Sequence, residues 1–192
     1  MNIFHPIPEK HREEDQLIKG CRRGKKKSQY ELVKRYSPGL MSLCRRYAPD
    51  EATAQDMLQE AFIRIFTHIG SYEPTGSFEG WMRKITTRCA LQWLNKYNLR
   101  QELSHTEPEE ENSLEPEIYE QLDAEDIIKI IQELPVGFRT VFNLHVIEGY
   151  SHKEIAELLE IQESTSRSQL GRARKLLQKK MNLLSQKKYK SA

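Results

Sequence analysis

The sequence has few cysteines, and their placement excludes most of the chemistry that cysteine performs. Only Cys21, Cys44 and Cys89 occur among the 192 residues, and they lie far apart in the chain. Zinc and redox motifs need pairs of cysteines a few residues apart, and a disulfide-stapled fold needs an even set. We therefore expect three free thiols, buried or partly buried, in a protein of the reducing cytoplasm.

Long apolar runs are also missing. No stretch approaches the roughly 18 to 20 apolar residues of a membrane-spanning helix. The N-terminal segment mixes Glu9, Glu13, Glu14 and Asp15 with basic residues, so it lacks the apolar centre of a signal peptide. These absences predict a cytoplasmic protein without direct membrane insertion.

Basic and acidic residues are nearly balanced, at 30 and 28, but they are segregated along the chain. Residues 101–128 contain eleven Asp or Glu and no Lys or Arg, whereas residues 165–192 contain nine Lys or Arg and no acid. A basic block of this kind is the electrostatic signature expected of a nucleic-acid-binding surface. The C-terminal segment is therefore predicted to contact nucleic acid.

Apolar residues recur at intervals of three and four almost throughout, and no segment alternates convincingly as a strand does. The predicted fold class is all-α. With 38% apolar residues in 192, two small helical domains joined by an acidic flexible linker fit better than one large core. The predicted domains span residues 14–100 and 118–182, with the linker at 101–117 and a basic tail at 183–192.

Helices are predicted over residues 15–23, 28–47, 51–69, 77–97 and 118–134, followed by a helix-turn-helix. In the second of these, Pro38 is expected to bend the helix or to lie near a first turn. Ser77 is expected to cap the fourth helix. The residues of the second helix predicted to face the core are Tyr30, Leu32, Val33, Leu40, Leu43 and Cys44.

The most informative segment, residues 149–174, predicts two helices around a tight turn. Ser151 and Glu154 have the spacing of a capping box, which satisfies unpaired amide donors where a helix begins. The chain turns near residues 160–162, and a basic helix follows whose arginines suit phosphates and guanine edges in a major groove. A helical hairpin with a solvated basic face is the alternative. The features that favour DNA binding are the capping box, Ala156 at the helix crossing, and Arg167, Arg172 and Arg174 on the second helix.

One face of the third helix carries Asp56, Gln59, Glu60 and Ile63, at spacings of three and four. An acidic stripe with an apolar neighbour suits docking on a basic partner helix, although a solvated helix face has the same pattern. Asp56 and Glu60 also have the spacing of a carboxylate pair. No histidine or third carboxylate falls in register with them, so catalysis is disfavoured and no metal or cofactor is expected.

Aromatic and basic residues are interleaved between residues 72 and 100, a composition that is used to stack unpaired bases against a cationic track. Core packing competes with this role for Trp81, Ile85 and Trp93, which lie near the apolar stripe. Base contacts are therefore expected of the loop at 71–77 and of the helix after it. The interleaved residues are Tyr72, Phe78, Trp81, Trp93 and Tyr97 with Arg83, Lys84, Arg88, Lys96 and Arg100.

Four segments together resemble the extracytoplasmic-function (ECF) sigma factors of the sigma-70 family. They read DMLQEAFIRIF at residues 56–66, FEGWMRKI at 78–85, LPVGFRTVF at 134–142 and EGYSHKEIA at 148–156. Each segment alone is moderately specific, whereas their order and spacing together are strongly so. The resemblance covers roughly residues 14–182.

The resemblance implies a non-enzymatic subunit that docks on core RNA polymerase, recognises two promoter elements and helps to melt the downstream one. Its implied partners are core RNA polymerase and promoter DNA, both duplex and melted single strand, and an anti-sigma factor is a further candidate. In the family the third helix grips the clamp helices of the largest polymerase subunit, and the acidic linker follows a channel that normally accepts RNA.

The resemblance also assigns residues to each role. Docking falls to Asp56, Gln59, Glu60 and Ile63. Recognition of the −10 element falls to Tyr72, Ser77, Phe78, Arg83, Lys84, Arg88 and Gln92. Recognition of the −35 element falls to Ser151, His152, Lys153, Thr165, Arg167, Ser168, Gln169, Arg172 and Arg174.

This chain departs from the family at several positions. The family commonly has Asn where this chain has Arg88, and Asp or Asn where it has Gln92, so specificity for the −10 element is expected to differ. Glu160 and Ser164 stand where the family often has Gly, and Gly171 replaces a bulky residue. A left-handed residue other than glycine costs about 1 kcal/mol, so strain is expected at the turn.

Two other functions fit parts of the sequence. A conventional helix-turn-helix activator would use its N-terminal half for sensing or dimerisation. A nucleic-acid-processing enzyme would use Asp56 and Glu60 and would need a metal ion. Co-purification with core polymerase separates the sigma factor from the activator.

Overall fold

The structure, a computed structural model, describes residues 9–96 and 124–190, and the regular secondary structure in these ranges is helical throughout. The prediction of an all-α fold is confirmed. The chain divides into two compact units, one within residues 1–90 and the other within residues 91–192. The predicted linker at 101–117, Tyr97, Arg100 and the predicted domain boundaries at residues 100 and 118 lie outside the described residues.

The first unit is built from α1 (Glu9–Arg22), α2 (Lys26–Tyr47), α3 (Glu51–His68) and the start of α4 (Phe78–Lys96). Gly24, at φ 68°, reverses the chain between α1 and α2. Asp50 caps α3, since its carboxylate accepts a 2.7 Å hydrogen bond from the amide of Thr53. A 3₁₀ turn, Ile69–Ser71, then leads into the loop before α4.

The core of the first unit is formed by apolar side chains of all four helices and of the 3₁₀ turn. They include Ile18, Leu32, Tyr36, Leu40, Phe62, Ile65, Ile69, Phe78 and Met82. The prediction that Tyr30 faces this core is wrong, because 66% of the residue is exposed. Leu32 and Tyr36 lie on the opposite side of α2, and Pro38 is accommodated inside the helix.

The second unit contains α5 (Ala124–Gln132), α6 (Val136–Phe142), a π-helical turn (Asn143–Ile147), α7 (His152–Leu159) and α8 (Glu163–Lys190). Arg139 in α6 donates a 2.8 Å hydrogen bond to the carbonyl of Gln132, which ties α6 to the end of α5. The core cluster that joins α5 to α8 consists of Ile130, Ile131, Leu134, Ala173 and Leu177. The long α8 is thus anchored by its apolar side.

The three cysteines are free and buried, as predicted. Burial raises the pKa of Cys21 and Cys89, and it raises the pKa of Cys44 to about 12. The thiols therefore stay protonated and contribute to the fold as small apolar side chains. No helix within the described ranges is long and apolar enough to cross a membrane.

Candidate nucleic-acid and protein interfaces

The predicted capping box is present at the start of α7. The hydroxyl of Ser151 accepts a 3.2 Å hydrogen bond from the amide of Glu154, and the Glu154 carboxylate accepts a 2.8 Å bond from the amide of Ser151. Two amides at the end of the helix are satisfied in this way. The capping box therefore marks the start of α7 through contacts between residues that are close in the chain.

The turn between α7 and α8 is formed by Glu160. Its backbone lies in the left-handed region, at φ 54° and ψ 44°, and the amide of Ile161 donates a 3.1 Å hydrogen bond to the carbonyl of Ala156. This is how helices commonly end, but usually with glycine at the left-handed position. The predicted turn at residues 160–162 is confirmed, together with the left-handed residue.

Two histidines brace the crossing of α7 over α8. The rings of His145 and His152 stack with centroids 4.2 Å apart, and His152 Nδ1 is hydrogen-bonded to the buried hydroxyl of Ser166 at 2.9 Å. His145 Nδ1 donates a 2.9 Å bond to the carbonyl of Tyr150. Burial, and then the neighbouring His145 and Arg167, lower the pKa of His152. His152 was predicted to contact DNA, but its ring is half-buried and joins the two helices.

Basic side chains lie on the exposed side of α8. One side of α8 carries Arg167, Gly171 and Arg174, spaced by four and three residues, and all three are exposed. Arg167 forms a 2.5 Å ion pair with Glu163, one turn earlier, and 58% of its side chain stays exposed. Apart from its chain neighbours and the nearby backbone of α8 itself, no atom lies within 4 Å of the position that a Cβ on Gly171 would occupy. The helix therefore presents two arginine forks around a point where its own backbone is bare.

Other predicted contacts of this helix-turn-helix differ in their exposure. Lys153, Ser151 and Ser168 are exposed, whereas Thr165 and Arg172 are half-exposed. Gln169 was also predicted to contact DNA, but it is 0% exposed and is not presented on the surface of this unit, so the contact stays a prediction. It follows Arg167 by two positions, about 200° around the helix, and so faces the core with Leu170 and Ala173.

The loop before α4 is organised by an aromatic cluster. The Tyr72 ring lies 5.0 Å from that of Phe78, which stacks at 5.6 Å on Trp81. Tyr72 and Phe78 are only 8% and 1% exposed, so their side chains lie beneath the surface, and their predicted contact with the −10 element stays a prediction. Their rings form the base on which the loop rests. The tip of the loop, Glu73 to Gly76, is exposed.

Exposed polar side chains follow the loop along α4. Ser77 caps the helix as predicted, since its hydroxyl accepts a 3.0 Å hydrogen bond from the amide of Gly80. Lys84, Arg88 and Gln92 are exposed at intervals of four, which places them on one side of the helix. Arg83 is half-exposed, while Trp81 and Ile85 pack against the core as predicted.

The predicted stripe on α3 is exposed along its whole length. Asp56, Gln59 and Glu60 are exposed, and Ile63 is 54% exposed. Glu60 forms a 2.6 Å ion pair with Arg64. The opposite side of α3, with Ala54, Met57, Ala61 and Ile65, is buried. The stripe is therefore available to a partner on a helix that the core holds firmly.

No group of three or more His, Cys, Asp or Glu side chains suited to a metal ion occurs among the described residues. No pattern in the sequence indicated the stacked histidines or the contact with the hydroxyl of Ser166. These groups meet only because the π-helical turn and the left-handed turn fold α7 back onto α8. The Glu163–Arg167 pair, by contrast, has the i,i+4 spacing that a sequence can reveal.

Comparison with known proteins identifies both units. The family models for sigma-70 region 2 and sigma-70 region 4 match residues 32–100 and 124–177, respectively. The ECF RNA polymerase sigma factor SigE of Mycolicibacterium smegmatis is 32% identical to this chain. The match covers 77% of this chain and 59% of that protein. The RNA polymerase sigma-H factor of Pseudomonas aeruginosa is 28% identical over 90% of this chain and 95% of that protein.

A solved structure has a similar fold. It is that of the sigma factor RpoE from Bartonella quintana in complex with the anti-sigma factor NepR. The TM-score is 0.50 at 21% identity, and the match covers 78% of this chain and 94% of that chain.

Proposed function

The chain belongs to the ECF group of the sigma-70 family, whose members direct transcription initiation by RNA polymerase, and on this basis we propose which surface performs each step. The exposed stripe of α3 docks on core polymerase. The loop at 71–77 and α4 recognise and help to open the −10 element. The helix-turn-helix, α7 and α8, reads the −35 element. The family is not enzymatic, so the alternative of a nucleic-acid-processing enzyme is set aside.

The observation that carries the proposal is the exposed face of α8. Arg167 and Arg174 flank Gly171 on a helix whose other side is buried and whose N-terminal half is braced by the capped α7. Arginine forks can bind phosphates and the O6 and N7 atoms of guanine. The bare backbone at Gly171 allows close approach to DNA, which offsets the roughly 1 kcal/mol that glycine costs inside a helix.

We propose that the loop tip and the exposed residues of α4 bind the −10 element. Lys84 and Arg88 supply cations for the phosphates of a melted strand, and Ser77 and Gln92 supply hydrogen-bonding groups. Since Tyr72 and Phe78 are buried, a flipped base would be received by the exposed tip, residues 73–76. Arg88 and Gln92 are then the residues expected to change the base preference of this chain relative to its family.

For docking, the proposal uses Asp56, Gln59, Glu60 and Ile63. The two carboxylates favour a basic partner helix, and Ile63 adds apolar area that would be buried on binding. We also propose an anti-sigma factor as a partner, in line with the complex known for RpoE of Bartonella quintana. Polymerase and promoter DNA are cytoplasmic in bacteria, so the proposed place of action is the cytoplasm.

Charge reversal on α3 tests the proposal. Asp56→Lys combined with Glu60→Lys should abolish binding of core polymerase and run-off transcription, because like charges would repel the partner helix. The helical content should not change, since both side chains are exposed and no cavity is created. Binding is measured by pull-down of core polymerase, and transcription on a genomic promoter library.

A matched control reverses two exposed acids on α1, Glu13→Lys with Asp15→Lys, and should leave polymerase binding intact. If the α3 variant still binds core polymerase as the unmodified chain does, α3 is not the docking surface. If the unmodified chain does not bind core polymerase at all but binds promoter duplex tightly by itself, the conventional activator is the better assignment.

A further inference from the structure

We infer that Arg22, at the end of α1, is a positioning residue for the −10 loop. Its Nε donates a 3.1 Å hydrogen bond to the carbonyl of Ile69, and its Nη2 donates to the carbonyl of Tyr72. Ile69 begins the 3₁₀ turn that leads into the loop, and Tyr72 is the residue directly after this turn. The inference rests on the proposed use of this loop to recognise the −10 element.

The carbonyls that Arg22 binds have a physical need for a donor. The last carbonyls of a helix lack partners within the helix, and they carry the negative end of its dipole. Here α3 continues directly into the 3₁₀ turn, and the amide of Tyr72 reaches the carbonyl of Ile69 only at 3.4 Å. A guanidinium satisfies both carbonyls through two nitrogens in a fixed fork, which a lysine ammonium does not reproduce.

The helix that carries Arg22 is itself held in place. A Cβ on Gly20 would lie 2.1 Å from the hydroxyl oxygen of Ser28, so α1 and α2 are in close contact there. The hydroxyl of Tyr36 donates a 2.5 Å bond to the carboxylate of Glu14. Ile18 and Cys21 are buried in the same cluster as Ile69 and Tyr72. Arg22 is therefore presented from a rigid support on the side of the 3₁₀ turn.

Tyr72 connects Arg22 to the loop tip. Its carbonyl is bound by Arg22, its ring packs on Phe78 and Trp81, and its hydroxyl donates a 2.9 Å bond to the carbonyl of Gly76. The two ends of the five-residue segment 72–76 are thus tied to one side chain. A recognition site works when its supporting residues hold it in one geometry. Arg22 acts through this chain of contacts, without itself touching a base.

The test compares Arg22→Ala and Arg22→Lys with Arg23→Ala, a neighbouring exposed arginine, in holoenzyme. Transcription is measured on promoters with the family −10 sequence and with single substitutions in it, and the affinity for core polymerase is measured separately. Both Arg22 variants should reduce the discrimination between these promoters by about tenfold, as expected for losing charged hydrogen bonds. The Arg22 variants should keep their affinity for core polymerase and their −35 discrimination. The Arg23→Ala variant should behave like the unmodified chain in all three measurements.

Three results would overturn the inference. If Arg22→Lys matches the unmodified chain, the residue acts by charge, for example on a phosphate. If core affinity and both promoter preferences fall together, the residue only stabilises the unit. A loop-tip variant, Glu73→Ala with Thr75→Ala, separates the inference from the proposed function. If the loop-tip variant does not change −10 discrimination, the proposed role of the loop itself is wrong. If the loop-tip variant changes −10 discrimination and the Arg22 variants do not, only the inference about Arg22 is wrong.

Discussion

Arg167 and Gln169 lie two positions apart in α8 and have opposite surroundings. Arg167 is exposed and paired with Glu163, whereas Gln169 is completely buried. An exposed ion pair of this kind contributes at most about 1 kcal/mol, so Glu163 does not prevent Arg167 from binding DNA instead. Arg167 is therefore free to serve as the contact with the −35 element that we propose.

Arg167→Ala should weaken −35 binding by holoenzyme by about 1 to 3 kcal/mol and relax the preference at one base pair, as the loss of a bidentate contact does. Lys179 is also exposed but lies about 18 Å further along the helix axis. Lys179→Ala should therefore weaken binding to all DNA sequences alike. It should also reduce the salt dependence of the affinity by about one phosphate contact.

The measurement is the affinity of holoenzyme for a set of −35 variants at two salt concentrations. Lys179→Ala serves as the control, since it removes a positive charge from the same helix. Equal losses for both variants, without any change in base preference, would mean that α8 binds DNA only through its charge.

The turn between α7 and α8 sets the geometry of the helix-turn-helix with a residue that is not glycine. A left-handed backbone costs a residue other than glycine about 1 to 2 kcal/mol. Glu160→Gly removes this cost, although glycine gains freedom in the unfolded chain. We expect the free energy of unfolding to rise by about 0.5 to 1 kcal/mol.

Glu160→Val is the comparison, because a β-branched residue fits the left-handed region worst and should destabilise by more than about 1 kcal/mol. Both are measured by urea unfolding of the full chain, followed by circular dichroism. A glycine variant that is less stable than the unmodified chain would show that the contacts of the Glu160 side chain outweigh the backbone strain.

Two promoter elements are assigned to surfaces in two different units of one chain. Binding both elements at once is strengthened by about 10² to 10⁴ only when the spacing of the two surfaces is fixed. We expect core polymerase to fix it. The free chain should therefore bind a complete promoter duplex at least about 100-fold more weakly than holoenzyme does.

Fluorescence anisotropy with a labelled promoter measures both affinities. The control duplex carries about five extra base pairs between the −35 and −10 elements, which is half a helical turn. The insertion should lower the affinity of holoenzyme and leave that of the free chain nearly unchanged. Tight binding by the free chain that depends on this spacing would contradict the expectation.

The amino-acid sequence alone predicts the helical class, the capping box of α7, the cap of α4, the turn near Glu160 and the family. Each of these depends on residues that are neighbours in the chain. Apolar periodicity, caps and left-handed turns act over a few residues, so their signals survive in a linear pattern. The exposed stripe on α3 was predictable for the same reason, since its members share one helical register.

Which polar and aromatic residues are exposed depends on how the helices pack. Tyr72, Phe78 and Gln169 have side chains suited to contact DNA, yet packing against distant residues buries them. Tyr30, with an apolar ring, remains outside the core. The bonds from Arg22 to the carbonyls of Ile69 and Tyr72 join residues 47 and 50 positions apart. Such contacts depend on how helices pack, and helix packing is decided by long-range contacts that no local pattern records.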